Sequence, residues 1–180
     1  MAVDAQGRII VNRRFETSVP GIYAIGDVIS GPMLAHKAEE EGLAAVEGMA
    51  GQARSVSYLA IPNVVYTFPE LASVGLTEAE AHARGLAVRV GRFPLAANGR
   101  AHCLDATEGL VKVVGDASTD RLLGVHILAA RASDLIAEGA VAIEFAASVE
   151  DLALSVHAHP TLPEAIKEAS LAVLKRAIHA

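Results

Sequence analysis

A histidine and a glutamate near the end of the chain form the strongest candidate for chemistry. The segment reads His157-Ala-His159-Pro-Thr-Leu-Pro-Glu164. Histidine titrates near neutral pH, and a carboxylate on its second ring nitrogen fixes the tautomer and raises basicity. Glu164 is close enough in sequence to fold back onto His159, which predicts a general base. Thr161 with Glu164 also fits a capping box that opens a helix, so the spacing alone leaves both interpretations open.

A second candidate site is a carboxylate at the end of a predicted strand. Ile22–Ile25 is an apolar run closed by Gly26 and Asp27, a pattern typical of a buried strand. Ligands collect beyond the carboxyl ends of strands in open α/β sheets, and a carboxylate there suits sugar or ribityl hydroxyls. A helix predicted from Met33 to about residue 49 directs its free N–H groups at the same space. A simple Gly-Asp turn is the alternative.

Metal, disulfide and dinucleotide-phosphate sites are not predicted. His157 and His159 are two residues apart, but no third ligand cluster accompanies them. The single cysteine, Cys103, excludes an intrachain disulfide and a multi-cysteine metal site, and we interpret it as an ordinary thiol. No Gly-x-Gly-x-x-Gly occurs in the sequence, so the phosphate loop of a dinucleotide site is missing.

Composition narrows the class of protein. Of the 180 residues 52% are hydrophobic and only 4% aromatic, so the core must be built from Ala, Val, Leu and Ile. The net charge of −6, with dispersed basic residues, argues against a nucleic-acid binder. No apolar run reaches the roughly 20 residues of a membrane helix, and the first residues lack an apolar signal-peptide core. A cytoplasmic protein is therefore expected.

The elements that must position these residues fall into two regions. The polar passage Gly51–Ser57 contains the predicted boundary between residues 1–55 and residues 56–180. The first region is predicted to hold a strand, a Gly-Asp turn and a helix. The second region predicts an α+β sandwich, a mostly antiparallel sheet with helices on one face. Its predicted strands are 58–67, 71–75, 86–93, 110–114 and 122–128, and its predicted helices are 78–84, 133–147 and 163–175.

Both candidate sites resemble motifs of the flavin disulfide reductases, in the form found in dihydrolipoamide dehydrogenase. Gly21–Val28 followed by Gly31–Gly42 is similar to the second FAD motif, and His157–Leu162 with Glu164 is similar to the C-terminal active-site motif. Phe68 and Pro163 depart from the family, which has a histidine-like and a small polar residue there. Further similar segments, in the family order, are Gly7–Ile9, Val11-Asn12, Val64–Gly75 and Asn98-x-Arg100-Ala101.

The resemblance implies a role for each candidate residue. His159 would be the acid/base, and Glu164 would orient it. Asp27 would bind the ribityl chain of FAD, and the flavin pyrimidine edge would meet the backbone of Met33, Leu34 and Ala35. The residues before position 56 would be a remnant of the FAD-binding domain, and residues 56–180 would be the dimerisation domain.

The resemblance also implies the reaction and its partners. In a homodimer, His159 would take a proton from the dihydrolipoyl group of a 2-oxoacid dehydrogenase or glycine cleavage complex, and electrons would pass through a disulfide and FAD to NAD. This chain lacks the family's two-cysteine redox pair, so it is expected to bind no cofactor and complete no redox cycle alone. The alternatives are a free-standing homodimerisation module without catalysis and a part of a related enzyme such as glutathione reductase.

Overall fold

The chain folds into two compact units, Met1–Tyr58 and Leu59–Ala180. The structure is a computed structural model that describes residues 1–52 and 54–180. Among these residues, no helix is both long enough and apolar enough to cross a membrane.

A five-stranded antiparallel sheet forms the second unit, in the order β1-β2-β5-β4-β3. Alternating Val and Ile residues explain its central strands, because every second side chain points to the same face of a sheet. Val111, Val113, Val125 and Ile127 are fully buried on one face. The strands are β1 (Asn63–Val65), β2 (Glu70–Gly75), β3 (Val88–Pro94), β4 (Leu110–Asp116) and β5 (Leu122–Ala129).

Two long helices cover that apolar face and close the core. Helix α4 packs on β2 and β5, and helix α6 packs on β3 and β4. The α+β architecture predicted from the sequence is confirmed, and a short helix, α2, contacts the opposite face, where Glu78 accepts from Lys112 at 2.7 Å. The helices of this unit are α2 (Glu78–Ala83), α3 (Gly99–Cys103), α4 (Ala132–Glu144), α5 (Val149–Leu154) and α6 (Glu164–Val173).

Helix ends show where local signals were sufficient and where they were not. The helix predicted at 78–84 forms as α2, and Thr77 and Glu80 form a capping box at its start. The helix predicted to start at residue 133 begins at Ala132, so Ser133 lies inside α4 and donates its backbone N–H to Glu70. Helix α5 was not predicted: α4 stops at Glu144, followed by Ala146 with a φ of +56°, a conformation that alanine does not signal in a sequence.

The first unit contains one long helix, α1, from Ala35 to Met49. The strand predicted at Ile22–Ile25 does not form. Only one bridge, between Glu16 and Tyr23, pairs this segment, and a single turn of 3-10 helix follows at Gly26–Val28. A strand requires hydrogen-bonded neighbours along its length, and the residues described in this unit supply only that bridge.

Candidate active site and flavin-binding elements

The candidate base lies in the loop that joins α5 to α6. Ser155 ends α5, and its carbonyl oxygen accepts a hydrogen bond from Lys167 Nζ at 2.8 Å. The hydroxyl of Thr161 donates to the carbonyl of Ala158 at 2.7 Å. These contacts fold the loop back on itself, so that His159 stands at its outer edge with 77% of its side chain exposed.

Glu164 contacts the base and the helix start at the same time. His159 Nδ1 lies 2.9 Å from Glu164 Oε1, and the backbone N–H of Thr161 donates to Glu164 Oε2 at 2.7 Å. The predicted capping box is only half formed, because the hydroxyl of Thr161 turns to Ala158 and Pro163 occupies the N-cap position. Glu164 therefore makes a contact expected from each interpretation, one at each oxygen.

The charges around Glu164 set the proton arrangement of the pair. Partial desolvation raises the pKa of Glu164. The Thr161 N–H, the His159 ring and the nearby His157 together lower it by more, so the pKa lies below its ordinary value. An ionised carboxylate can only accept, which places a proton on Nδ1 of His159. The lone pair of Nε2 is then the one available to take a proton from a substrate.

His157 anchors the same loop to helix α4. Its Nε2 lies 2.8 Å from Glu138 Oε1, its Nδ1 lies 3.1 Å from the Ser155 carbonyl oxygen, and only 9% of its side chain is exposed. The sequence had given His157 no chemical role, and it had not connected Glu138 to the site. Glu138 lies 19 residues away on another helix, so a local sequence pattern could not predict this contact.

The residues predicted to meet a flavin lie together in the first unit. Asp27 is exposed on the 3-10 turn, which packs on the first turn of α1: a Cβ built at Gly26 would lie 3.2 Å from Ala38 Cβ. Leu34 is the N-cap of α1, and its apolar side chain makes no cap hydrogen bond with the helix. Met33 and Ala35 on either side of it are exposed.

These features fit part of a flavin. A carboxylate on a tight turn suits ribityl hydroxyl donors, and the positive dipole end of a helix suits the electron-rich edge of a ring. The Gly-x-Gly-x-x-Gly phosphate loop that binds the adenosine diphosphate half of a dinucleotide does not occur in the sequence.

Metal binding finds no support in residues 1–52 and 54–180. No cluster of three or more His, Cys, Asp or Glu side chains occurs there in a geometry that could hold an ion. Cys103 is a free, exposed thiol.

Known families match both units. The dimerisation domain of the pyridine nucleotide-disulphide oxidoreductases matches residues 61–170, and the model described as pyridine nucleotide-disulphide oxidoreductase matches residues 1–42. The chain is 56% identical over 176 residues to the mitochondrial dihydrolipoyl dehydrogenase of Pisum sativum, covering 98% of this chain and 35% of that protein. It is 54% identical over 170 residues to the Homo sapiens enzyme, covering 94% and 33% respectively.

A solved structure supports the same conclusion. LpdA from Mycobacterium tuberculosis superimposes with a TM-score of 0.85 at 32% identity, covering 91% of this chain and 36% of that one. An antiparallel sheet with two covering helices and an exposed, carboxylate-held histidine thus defines a dimerisation module of the disulfide-reductase class. The chain belongs to the pyridine nucleotide-disulphide oxidoreductase family, and the predicted resemblance to dihydrolipoamide dehydrogenase is confirmed. It spans about a third of the length of those relatives.

Proposed function

We propose that this chain supplies the acid/base pair and the dimer contact of an FAD-dependent dihydrolipoamide dehydrogenase. The observation that carries the proposal is the 2.9 Å contact between His159 Nδ1 and Glu164 Oε1, with the imidazole largely exposed. A base that serves a site outside its own unit must present its free nitrogen outward, and His159 has this arrangement.

His159 takes the proton of a dihydrolipoamide thiol at Nε2, and Glu164 stabilises the imidazolium that results. The thiolate left behind is the nucleophile for a redox disulfide carried by residues outside this chain. The backbone N–H of Thr161 keeps Glu164 in place throughout, because it occupies the second carboxylate oxygen. The protonated His159 is therefore paired with a carboxylate that a second hydrogen bond, from Thr161, holds in place.

Asp27 and the backbone of Met33, Leu34 and Ala35 would hold the ribityl chain and the pyrimidine edge of the flavin. FAD held there would supply the two-electron chemistry that links the dithiol to NAD. The second unit contributes a homodimer contact, which places the His159 loop of one protomer at the disulfide and flavin of the other.

A chimaera tests the proposal, in which this chain replaces the matched 176 residues of the Pisum sativum enzyme. We expect a yellow, flavin-loaded protein that oxidises dihydrolipoamide. His159→Gln should lower turnover by about 10²–10⁴-fold, the usual contribution of a positioned general base, and leave flavin content unchanged. His82→Gln, an exposed histidine on α2, is the matched control. Equal turnover in the two variants would contradict the role of His159.

A further inference from the structure

A buried ion pair in the first unit has no part in the site described so far. Lys37 and Glu41 stand one turn apart on α1, with Nζ and Oε1 3.2 Å apart and both side chains 0% exposed. Removing two charges from water costs several kcal/mol per ion, which the mutual attraction of the pair often fails to recover. A stabilising effect on folding therefore does not by itself explain why this small unit buries an ion pair completely.

Both side chains reach back to one residue, Gly26. Glu41 Oε2 accepts the Gly26 N–H at 2.7 Å, and Lys37 Nζ donates to the Gly26 carbonyl oxygen at 3.0 Å. Gly26 has a φ of +72°, a conformation that favours glycine. One helix thus fixes both backbone polar groups of the residue directly before Asp27.

The same pair fixes the far end of the loop and accepts a third donor. A Cβ built at Gly31 would lie 3.1 Å from Lys37 Cε, so the lysine stem passes directly along the backbone that leads to Pro32. The hydroxyl of Tyr58 donates to Glu41 Oε1 at 2.6 Å. Burial, together with the hydrogen bond to Glu41 and its charge, raises the pKa of Tyr58 far above its ordinary value.

We propose that Lys37, Glu41 and Tyr58 are positioning residues for the flavin. They hold the loop from Gly26 to Gly31, so that the Asp27 carboxylate and the start of α1 are set before the cofactor arrives. Prior ordering of this kind lowers the entropy lost on binding. The inference rests on the proposed flavin role of Asp27, and its first test needs no flavin.

The double variant Lys37→Met/Glu41→Leu removes both contacts to the backbone of Gly26 without leaving an unpaired charge. Replacing a buried ion pair by apolar residues of similar volume is often neutral or stabilising, but this change also leaves the two backbone groups of Gly26 and the Tyr58 hydroxyl without partners. We therefore expect a chain that still folds, with a lower melting temperature. The Gly26 amide, freed from a charged acceptor, should exchange its hydrogen about 10- to 100-fold faster. The pKa of Tyr58 should fall as well, since the neighbouring negative charge is gone. Glu39→Gln, an exposed carboxylate on the same helix, is the matched control.

Flavin binding in the Pisum sativum chimaera is the second readout. The double variant should bind FAD at least about tenfold more weakly than the unsubstituted chimaera, measured at a temperature at which both apoproteins are folded. Unchanged exchange at Gly26 would overturn the contact network, and fast exchange with unchanged FAD affinity would overturn the positioning role.

The failure of the proposed function has a different signature: an unsubstituted chimaera that binds no flavin while Gly26 remains protected. Tyr58→Phe covers the case in which the double variant fails to fold. It removes one hydroxyl, and we expect severalfold faster exchange at Gly26 because Glu41 loses a donor that fixes it. Unchanged exchange in this variant counts against the network equally.

Discussion

Glu164 makes two contacts at once, one expected of a helix cap and one expected of the partner of a histidine base. One oxygen accepts from Thr161 at the start of α6, and the other holds His159. Both partners lie within five residues of Glu164, so the contact was open to prediction from spacing. His157 with Glu138, and Lys37 with Gly26, were not predicted, because burial and contacts between distant segments leave no local signal.

Glu164→Gln tests the double contact directly. A glutamine has one acceptor oxygen where Glu164 uses two, so it can serve either the Thr161 N–H or the His159 Nδ1–H in this geometry. We expect an intact fold and a smaller population of the Nδ1–H tautomer of His159, measured by ¹⁵N spectroscopy of the imidazole at neutral pH. An unchanged tautomer population would reduce Glu164 to a helix cap.

Acid stability provides a second test at the same residue. The pKa of Glu164 lies below its ordinary value of 4.5, so folding favours the ionised form. The sign follows: this contribution to the free energy of unfolding is complete above pH 4.5 and disappears as the pH falls through the lower folded value. Glu164→Gln should therefore flatten the loss of stability below pH 4.5. Urea unfolding across that range measures it, with Glu144→Gln, an exposed glutamate on α4, as control.

At the scale of secondary-structure elements, the sheet and its two long helices were predicted from the spacing of Val, Ile and Leu, with Gly or Pro at the ends of the segments. Ile22–Ile25 is an apolar run closed by Gly26, yet the described residues of its unit offer one bridging partner, at Glu16, and no strand forms. The apolar pattern of a segment indicates that it is buried, whereas a strand also needs hydrogen-bonded neighbours, which the segment's own sequence does not specify.

Gly91 on β3 sets how closely α6 approaches the sheet. A Cβ at this position would lie 2.0 Å from the Ala169 carbonyl oxygen and 2.5 Å from the Val173 N, both backbone atoms of α6. We expect Gly91→Ala to push α6 outward and to lower the free energy of unfolding by roughly 3 kcal/mol. Gly99→Ala is the control, since a Cβ there meets nothing within 4 Å. Equal stability of the two variants, by urea denaturation, would contradict the close approach.

At the scale of the whole molecule, an exposed apolar surface lies beside the candidate base. Val141 and Phe145 follow Glu138 at helical spacing on α4, and they are 58% and 81% exposed. Glu138 holds His157, whose neighbour Val156 is 95% exposed. Val156 lies in the loop that carries His159, and Val141 and Phe145 follow along α4 from the residue that holds this loop. A second protomer that completes the site of the loop would cover exposed apolar side chains of this kind.

We therefore expect this chain to be a homodimer at tens of micromolar, a concentration at which an obligate dimer stays associated. Val156→Glu and Phe145→Glu should each give monomers in sedimentation experiments, because a carboxylate buried in an apolar contact without a partner costs several kcal/mol. Leu71→Glu is the control: Leu71 is 46% exposed, and it alternates with the buried Ala72 on β2, so it lies on the sheet face opposite α4 and α6. If Leu71→Glu dissociates the dimer and Val156→Glu does not, the two-fold contact lies on the other face and the His159 loop is not part of it.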